Sequence, residues 1–96
     1  LLGMGADMHT ASLFPGSKNL GIALSKDAPN VVAVSALGIP EPRISLTARV
    51  LNSSQEKHLV FFGVDKKRVL DEAMFLDPLS APVSAVLDGA VVHWAE

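Results

Sequence analysis

The residues best suited to chemistry lie near the start of the chain, in Gly3-Met4-Gly5-Ala6-Asp7-Met8-His9. Imidazole is the side chain whose charge changes nearest neutral pH, so His9 is a candidate general base. Asp7, two residues earlier, can hold the ring or offset its charge. If Thr10–Phe14 forms a turn of helix before the Pro15-Gly16 stop, the positive end of its dipoles favours neutral imidazole, the form a base needs. A plainer reading, in which His9 only closes a turn, stands level with this one. Gly3 and Gly5 fit a strand running into a tight turn, where the C-terminal edge of a sheet commonly meets a ligand. They fit an ordinary turn equally well. A dinucleotide fingerprint is excluded, because the third glycine of G-x-G-x-x-G falls on Met8.

Lys66, Lys67 and Arg68 form a second cluster, in the first turn of a helix expected to be capped by Asp65 and to run through about Phe75. Cations there oppose the helix dipole, each by about 0.3–1 kcal/mol when exposed. A phosphate bound at the free N–H groups of that helix start would offset the cost, and Lys66 lies nearest the mouth. A solvated charged turn beside Asp65 and Asp71 is the competing reading. Arg43 follows Pro40-Glu41-Pro42 and opens a strand, so it projects from a sheet end or faces water. Ser12, Thr10 and Ser84 lack a nucleophile elbow. The three histidines lie in separate segments, which makes a metal site weak.

The wider composition closes other routes. There is no cysteine, so thiolate chemistry and disulfides are excluded. Eight Lys and Arg against ten Asp and Glu give a formal charge of −2 with both signs scattered, a poor match for nucleic acid or an anionic membrane. No apolar run approaches the ~20 residues of a membrane span.

The elements that must position these residues follow from periodicity. Leu1–Gly5 reads as the end of a buried strand, and Leu20–Leu24 as a turn of helix within a loop. Val31–Ser35 is a short β-branched strand that reads as buried. Ile44, Leu46, Ala48 and Val50 alternate with polar residues as in a half-buried strand, though Thr47 could cap a helix through Asn52 instead. Leu59–Val64 is the strongest strand, and Ala90–Trp94 the last. Phe61, Phe62, Phe75 and Trp94 read as core, His58 as a surface residue where a strand begins, and His93 as packing beside Trp94. Strands alternating with short helices predict an α/β class with a mainly parallel sheet.

Leu2-Gly3-Met4-Gly5-Ala6-Asp7-Met8-His9-Thr10-Ala11-Ser12-Leu13-Phe14-Pro15-Gly16 resembles the 6-phosphogluconolactonase signature G-x-G-x-D-G-H-T-A-S-L-F-P-G. Pro42-Arg43-Ile44-Ser45-Leu46-Thr47, Gly63-Val64-Asp65-Lys66 and the closing Pro82-Val83-Ser84 and Val92-His93-Trp94 resemble further segments of that family, in order. The resemblance implies hydrolysis of 6-phospho-D-glucono-1,5-lactone to 6-phosphogluconate in the pentose phosphate pathway, in the cytoplasm, with neither metal nor other cofactor. It implies the doubly wound, mainly parallel α/β sheet shared with glucosamine-6-phosphate isomerase/deaminase and ribose-5-phosphate isomerase, the NagB/RpiA-like fold. Carried over, His9 is the general base and Asp7 its acid partner. Lys66 is a phosphate-side lysine, Arg43 borders the substrate, and Gly3 and Gly5 belong with them to the substrate and phosphate site. Met8 stands where the signature has glycine, so a side chain is expected to intrude on close backbone approach.

The resemblance also implies that residues 1–96 are the C-terminal part of one lactonase-like domain, partnered by an N-terminal half of the same chain and inactive without it. Two alternatives remain open to the sequence. One is a phosphosugar isomerase or deaminase, which needs a second acid; none follows His9 until Asp27. The other is a non-catalytic module that binds a sugar phosphate.

Overall fold

A computed structural model describes residues 1–96. Along the chain run α1 (Leu20–Ala23), β1 (Val31–Val34), β2 (Arg43–Leu46), α2 (Ala48–Asn52), β3 (His58–Phe62), α3 (Val64–Ala73), a 3-10 turn (Pro82–Val86) and β4 (Val91–Ala95). The strongest apolar run, β3, is the organising strand. It pairs parallel with β4, from His58 opposite Val91 to Phe62 opposite Ala95. On its other side Leu2 makes a parallel bridge to Leu59, with the Leu2 N–H donating to the His58 carbonyl at 2.8 Å and the Val60 N–H to the Leu2 carbonyl at 2.9 Å. Parallel strands finish at the same sheet edge. The glycine turn after Leu2 and the start of α3 after β3 therefore emerge side by side.

The second pair, β1 with β2, is antiparallel, matching Val31 to Leu46 and Val34 to Arg43. The connection 35–42 is shorter than the roughly dozen residues a parallel crossover needs, so an antiparallel return is the available geometry. The alternation in β2 is real, but its faces are reversed relative to a half-buried apolar strand. Ile44 is 75% and Leu46 45% exposed, while Ser45 between them is buried at 4%. Ser45 Oγ accepts the Ser12 N–H at 3.1 Å and donates to the Leu46 carbonyl at 2.9 Å. The polar face of β2 thus anchors the signature loop. The helical reading of Ala48–Asn52 holds, with Thr47 at its start; the Thr47 hydroxyl donates to the Pro29 carbonyl at 2.7 Å instead of capping. β1 is half-buried, with Val32 and Val34 inward and Val31 and Ala33 outward.

The core gathers Leu13, Leu59, Val83 and Val86 around Met4, Phe14, Leu20, Phe61 and Leu70. Burial of such side chains contributes about 1.5–3 kcal/mol each. Of the four aromatics read as core, only Phe61 is buried; Phe62, Phe75 and Trp94 are exposed, on strand faces and a helix end that no other element of these residues covers. Thr10–Phe14 is not helical. Ala11 has φ +50°, and the Leu13 N–H returns to the Thr10 carbonyl at 2.9 Å, which closes a tight turn and supplies no helix dipole to His9. Helix α3 begins two residues earlier than expected: Gly63, not Asp65, occupies the capping position, and Asp65 lies in the first turn.

Candidate active site

The segment after Leu2 folds back on itself. The Gly5 N–H donates to the His9 carbonyl at 3.0 Å and the Met8 N–H to the Gly5 carbonyl at 2.9 Å. Closing this loop places Met8 at φ +74°, the left-handed region where a side chain costs about 1–2 kcal/mol and glycine is at ease. The Met8 side chain does not intrude on the site. It packs against the core, while its carbonyl accepts the Val83 N–H at 3.0 Å. Buried Thr10 ties the loop's two arms together by donating to the Gly3 carbonyl at 2.8 Å.

The loop holds Asp7 and His9 in contact. Asp7 Oδ1 lies 2.5 Å from His9 Nδ1 and also accepts the His9 N–H at 3.0 Å. Burial by itself would raise the Asp7 carboxyl, but the hydrogen bonds from the His9 N–H and ring, with the imidazole's charge, outweigh it and hold the group below its ordinary 3.8. Asp7 is therefore an ionised, acceptor-only partner near neutral pH. It fixes the proton on Nδ1 and leaves Nε2 as the ring's free base. His9 is 31% exposed, so water reaches it.

Packing explains why glycine precedes the pair. A Cβ built on Gly5 would lie 2.3 Å from both Cε1 and Nδ1 of His9 and 2.7 Å from Asp7 Oδ1. The imidazole occupies the space that any other residue would fill.

Two concavities meet at His9. The larger, about 510 Å³, is bordered by Asp7, His9, Phe14 and Arg43 and rimmed by the loop Ala36–Pro40. That volume falls in the range of small-ligand pockets. The smaller, about 330 Å³, is bordered by Gly3, Met4, Gly5, His9, Ala11 and Lys66. The other five candidate residues, Asp7, Arg43, Gly3, Gly5 and Lys66, thus each line one of the two concavities that His9 joins. Lys66 arrives there because α3 starts beside the glycine turn. Neither Arg43 nor Lys66 has a carboxylate within 4.0 Å, whereas neighbouring Lys67 is paired with Asp71 at 2.7 Å. No group of three or more His, Asp or Glu side chains converges to hold a metal.

Sequence reasoning missed Phe14 and the 36–40 rim. Phe14 is buried, with its ring centroid 4.5 Å from that of His9 and 5.5 Å from the Arg43 guanidinium carbon. Its position in the signature was the available signal. His58 and His93 meet each other across β3 and β4 at 2.9 Å, away from this site, and His93 is exposed.

Comparison with known proteins shows the family. Residues 1–94 match the family model described as glucosamine-6-phosphate isomerases/6-phosphogluconolactonase. The chain is 39% identical over 104 residues to a 6-phosphogluconolactonase of Xylella fastidiosa, a match covering 98% of this chain and 43% of that protein. A 6-phosphogluconolactonase of Caulobacter vibrioides is 40% identical over 103 residues, covering 100% and 43%. The crystal structure of a 6-phosphogluconolactonase from Shewanella baltica aligns with a TM-score of 0.91 at 34% identity, over 99% of this chain and 42% of that one. The chain spans less than half the length of the relatives it matches, and its path is that of the family's α/β fold.

Proposed function

Because the chain belongs to the glucosamine-6-phosphate isomerase/6-phosphogluconolactonase family, we propose that the whole protein hydrolyses 6-phospho-D-glucono-1,5-lactone, with His9 as the general base. The observation that carries this reading is the Asp7–His9 pair at the meeting point of two concavities, each with a cation free of carboxylates.

The chemistry follows from the free Nε2. It takes one proton from water as the water oxygen bonds to the lactone carbonyl carbon, giving a tetrahedral oxyanion and an imidazolium. Asp7, ionised and 2.5 Å from Nδ1, stabilises that imidazolium. When the intermediate collapses, the bond to the ring oxygen breaks, and the imidazolium returns its proton to that oxygen. Water is consumed, one open-chain acid forms, and His9 is regenerated. General base catalysis of this kind contributes about 10²–10⁴-fold. Lys66 is assigned to the phosphate, at the edge where β3 enters α3, and Arg43 to the substrate in the larger cleft.

Residues 1–96 are read as the C-terminal part of one such domain, completed by an N-terminal part of the same chain. The substrate sets the test. Full-length protein is offered freshly generated lactone and, separately, glucosamine 6-phosphate. Acid release from the lactone without ammonia release from the amino sugar is the expected result. Ammonia release would assign the chain to the isomerase branch, and turnover of neither would leave a binding module.

A further inference from the structure

We infer that Phe14 is a positioning residue which holds His9 and Arg43 in a fixed relation and supports the imidazolium formed when His9 takes a proton. The inference deepens the lactonase reading and rests on it. Phe14 is 8% exposed, and its ring meets the His9 imidazole at a centroid separation of 4.5 Å with the planes inclined at 34°. The same ring lies 5.5 Å from the Arg43 guanidinium carbon, within the reach of a cation–π contact. One buried aromatic thus touches the base and the substrate-side cation, which come from different elements.

This arrangement has two consequences. His9 is held on one edge by Asp7, against Gly5, and on a face by Phe14, so its ring is fixed by three neighbours. Protonation of Nε2 then places a cation against the π-face, an attraction that is weaker while the ring is neutral. An interaction that strengthens as charge develops lowers the barrier, whereas one of constant strength does not. The magnitude of such contacts corresponds to about 5- to 30-fold in rate. Arg43 has no carboxylate near it and depends on Phe14 for its lateral placement.

The test uses full-length protein and the lactone assay. Phe14→Leu keeps the site apolar but removes the π-face; pentafluorophenylalanine at position 14 keeps the shape and reverses the ring's polarity. Both are expected to lower kcat by about 5- to 30-fold and to raise KM through Arg43. In the double variant Phe14→Leu/Arg43→Ala, the KM effects are expected to be less than additive. A purely structural Phe14 would leave the pentafluoro protein with wild-type kcat and KM, and that result overturns the inference whether or not the Leu variant folds. His9→Gln is run in parallel. Loss of turnover in His9→Gln with a wild-type pentafluoro protein removes only the role of Phe14, whereas full turnover in His9→Gln removes the underlying reading as well.

Discussion

Gly5→Ala adds a single methyl group at the most crowded point of the site. Its three nearest neighbours would be Cε1 and Nδ1 of His9, both at 2.3 Å, and Asp7 Oδ1 at 2.7 Å. Ordinary contact begins near 3.4 Å, so the imidazole must retreat by about 1.1 Å. All three atoms belong to side chains, so the backbone can stay in place while the Asp7–His9 contact is lost. Misplacing a reacting group by ~1 Å costs roughly 10²-fold in rate, which is about 2.7 kcal/mol of barrier. Loss of the Asp7 partner adds to this, and kcat in the full-length protein is expected to fall by about 10²–10³-fold. Thermal melting is expected to change by less than ~4 °C, because the cost of moving an accessible ring is partly offset by the lower entropy of the unfolded alanine chain. Gly21→Ala is the matched control. It lies in α1 with nothing within 4 Å of its added Cβ, and its activity is expected to match wild type. A Gly5→Ala enzyme with kcat within threefold of wild type would refute the reasoning, since it would show that the imidazole's placement against Gly5 does not govern catalysis.

Other perturbations probe separate parts of the account. Met8→Gly and Met8→Ala lose the same packing, but only glycine relieves the φ +74° backbone, so Gly is expected to be the more stable by about 1 kcal/mol, or roughly 2–4 °C in melting of the whole protein; the opposite order in thermal melts would contradict the left-handed assignment. Lys66→Gln is expected to raise KM by about tenfold with little change in kcat, as for loss of a charge on the substrate's phosphate, and an unchanged KM in steady-state kinetics would remove it from that role. Asp7→Asn is expected to lower kcat by roughly 10²–10⁴-fold, because the amide can hold the ring in the wrong tautomer. The same variant carries a pH signature. The folded carboxyl lies below its ordinary 3.8, so its stabilisation is complete above that value and is lost as the pH falls through the folded pKa. Wild-type melting is therefore expected to lose a small increment of stability below about pH 3.8 that Asp7→Asn lacks, and parallel acid limbs would contradict it.

Much of the site was legible because it is local in sequence. Asp7 and His9 are two residues apart, so a tight turn after a strand brings them together whatever surrounds it. Lys66 could be placed because a strand followed by a helix exposes the helix start at the sheet edge, beside the ends of parallel neighbours. β3 and α3 were readable from a long apolar run and from helical spacing. What escaped depended on tertiary choices. Period-2 alternation in Ile44–Leu46 tells which side chains share a face but not which face is covered, and the covered one proved to be that of Ser45. Thr10–Phe14 has an acceptable helical composition, yet Ala11 adopts φ +50° because the loop must return to Gly3. Phe14 stood in the signature, but its contact with His9 depends on the tight turn at Ala11 and its contact with Arg43 on β2 lying against the signature loop. The exposure of Phe62, Phe75 and Trp94 likewise could not be anticipated from their types.

The central claim is that His9 moves the proton in lactone hydrolysis. Its most direct measurement is the single-turnover rate of full-length His9→Gln on freshly generated 6-phosphogluconolactone, corrected for spontaneous hydrolysis, beside a melting curve showing that the variant is folded. Glutamine approximates the shape of the ring but cannot accept and return a proton. The account predicts a fall of at least about 10²-fold with substrate binding retained. A folded His9→Gln enzyme that turns over the lactone at the wild-type rate would contradict it.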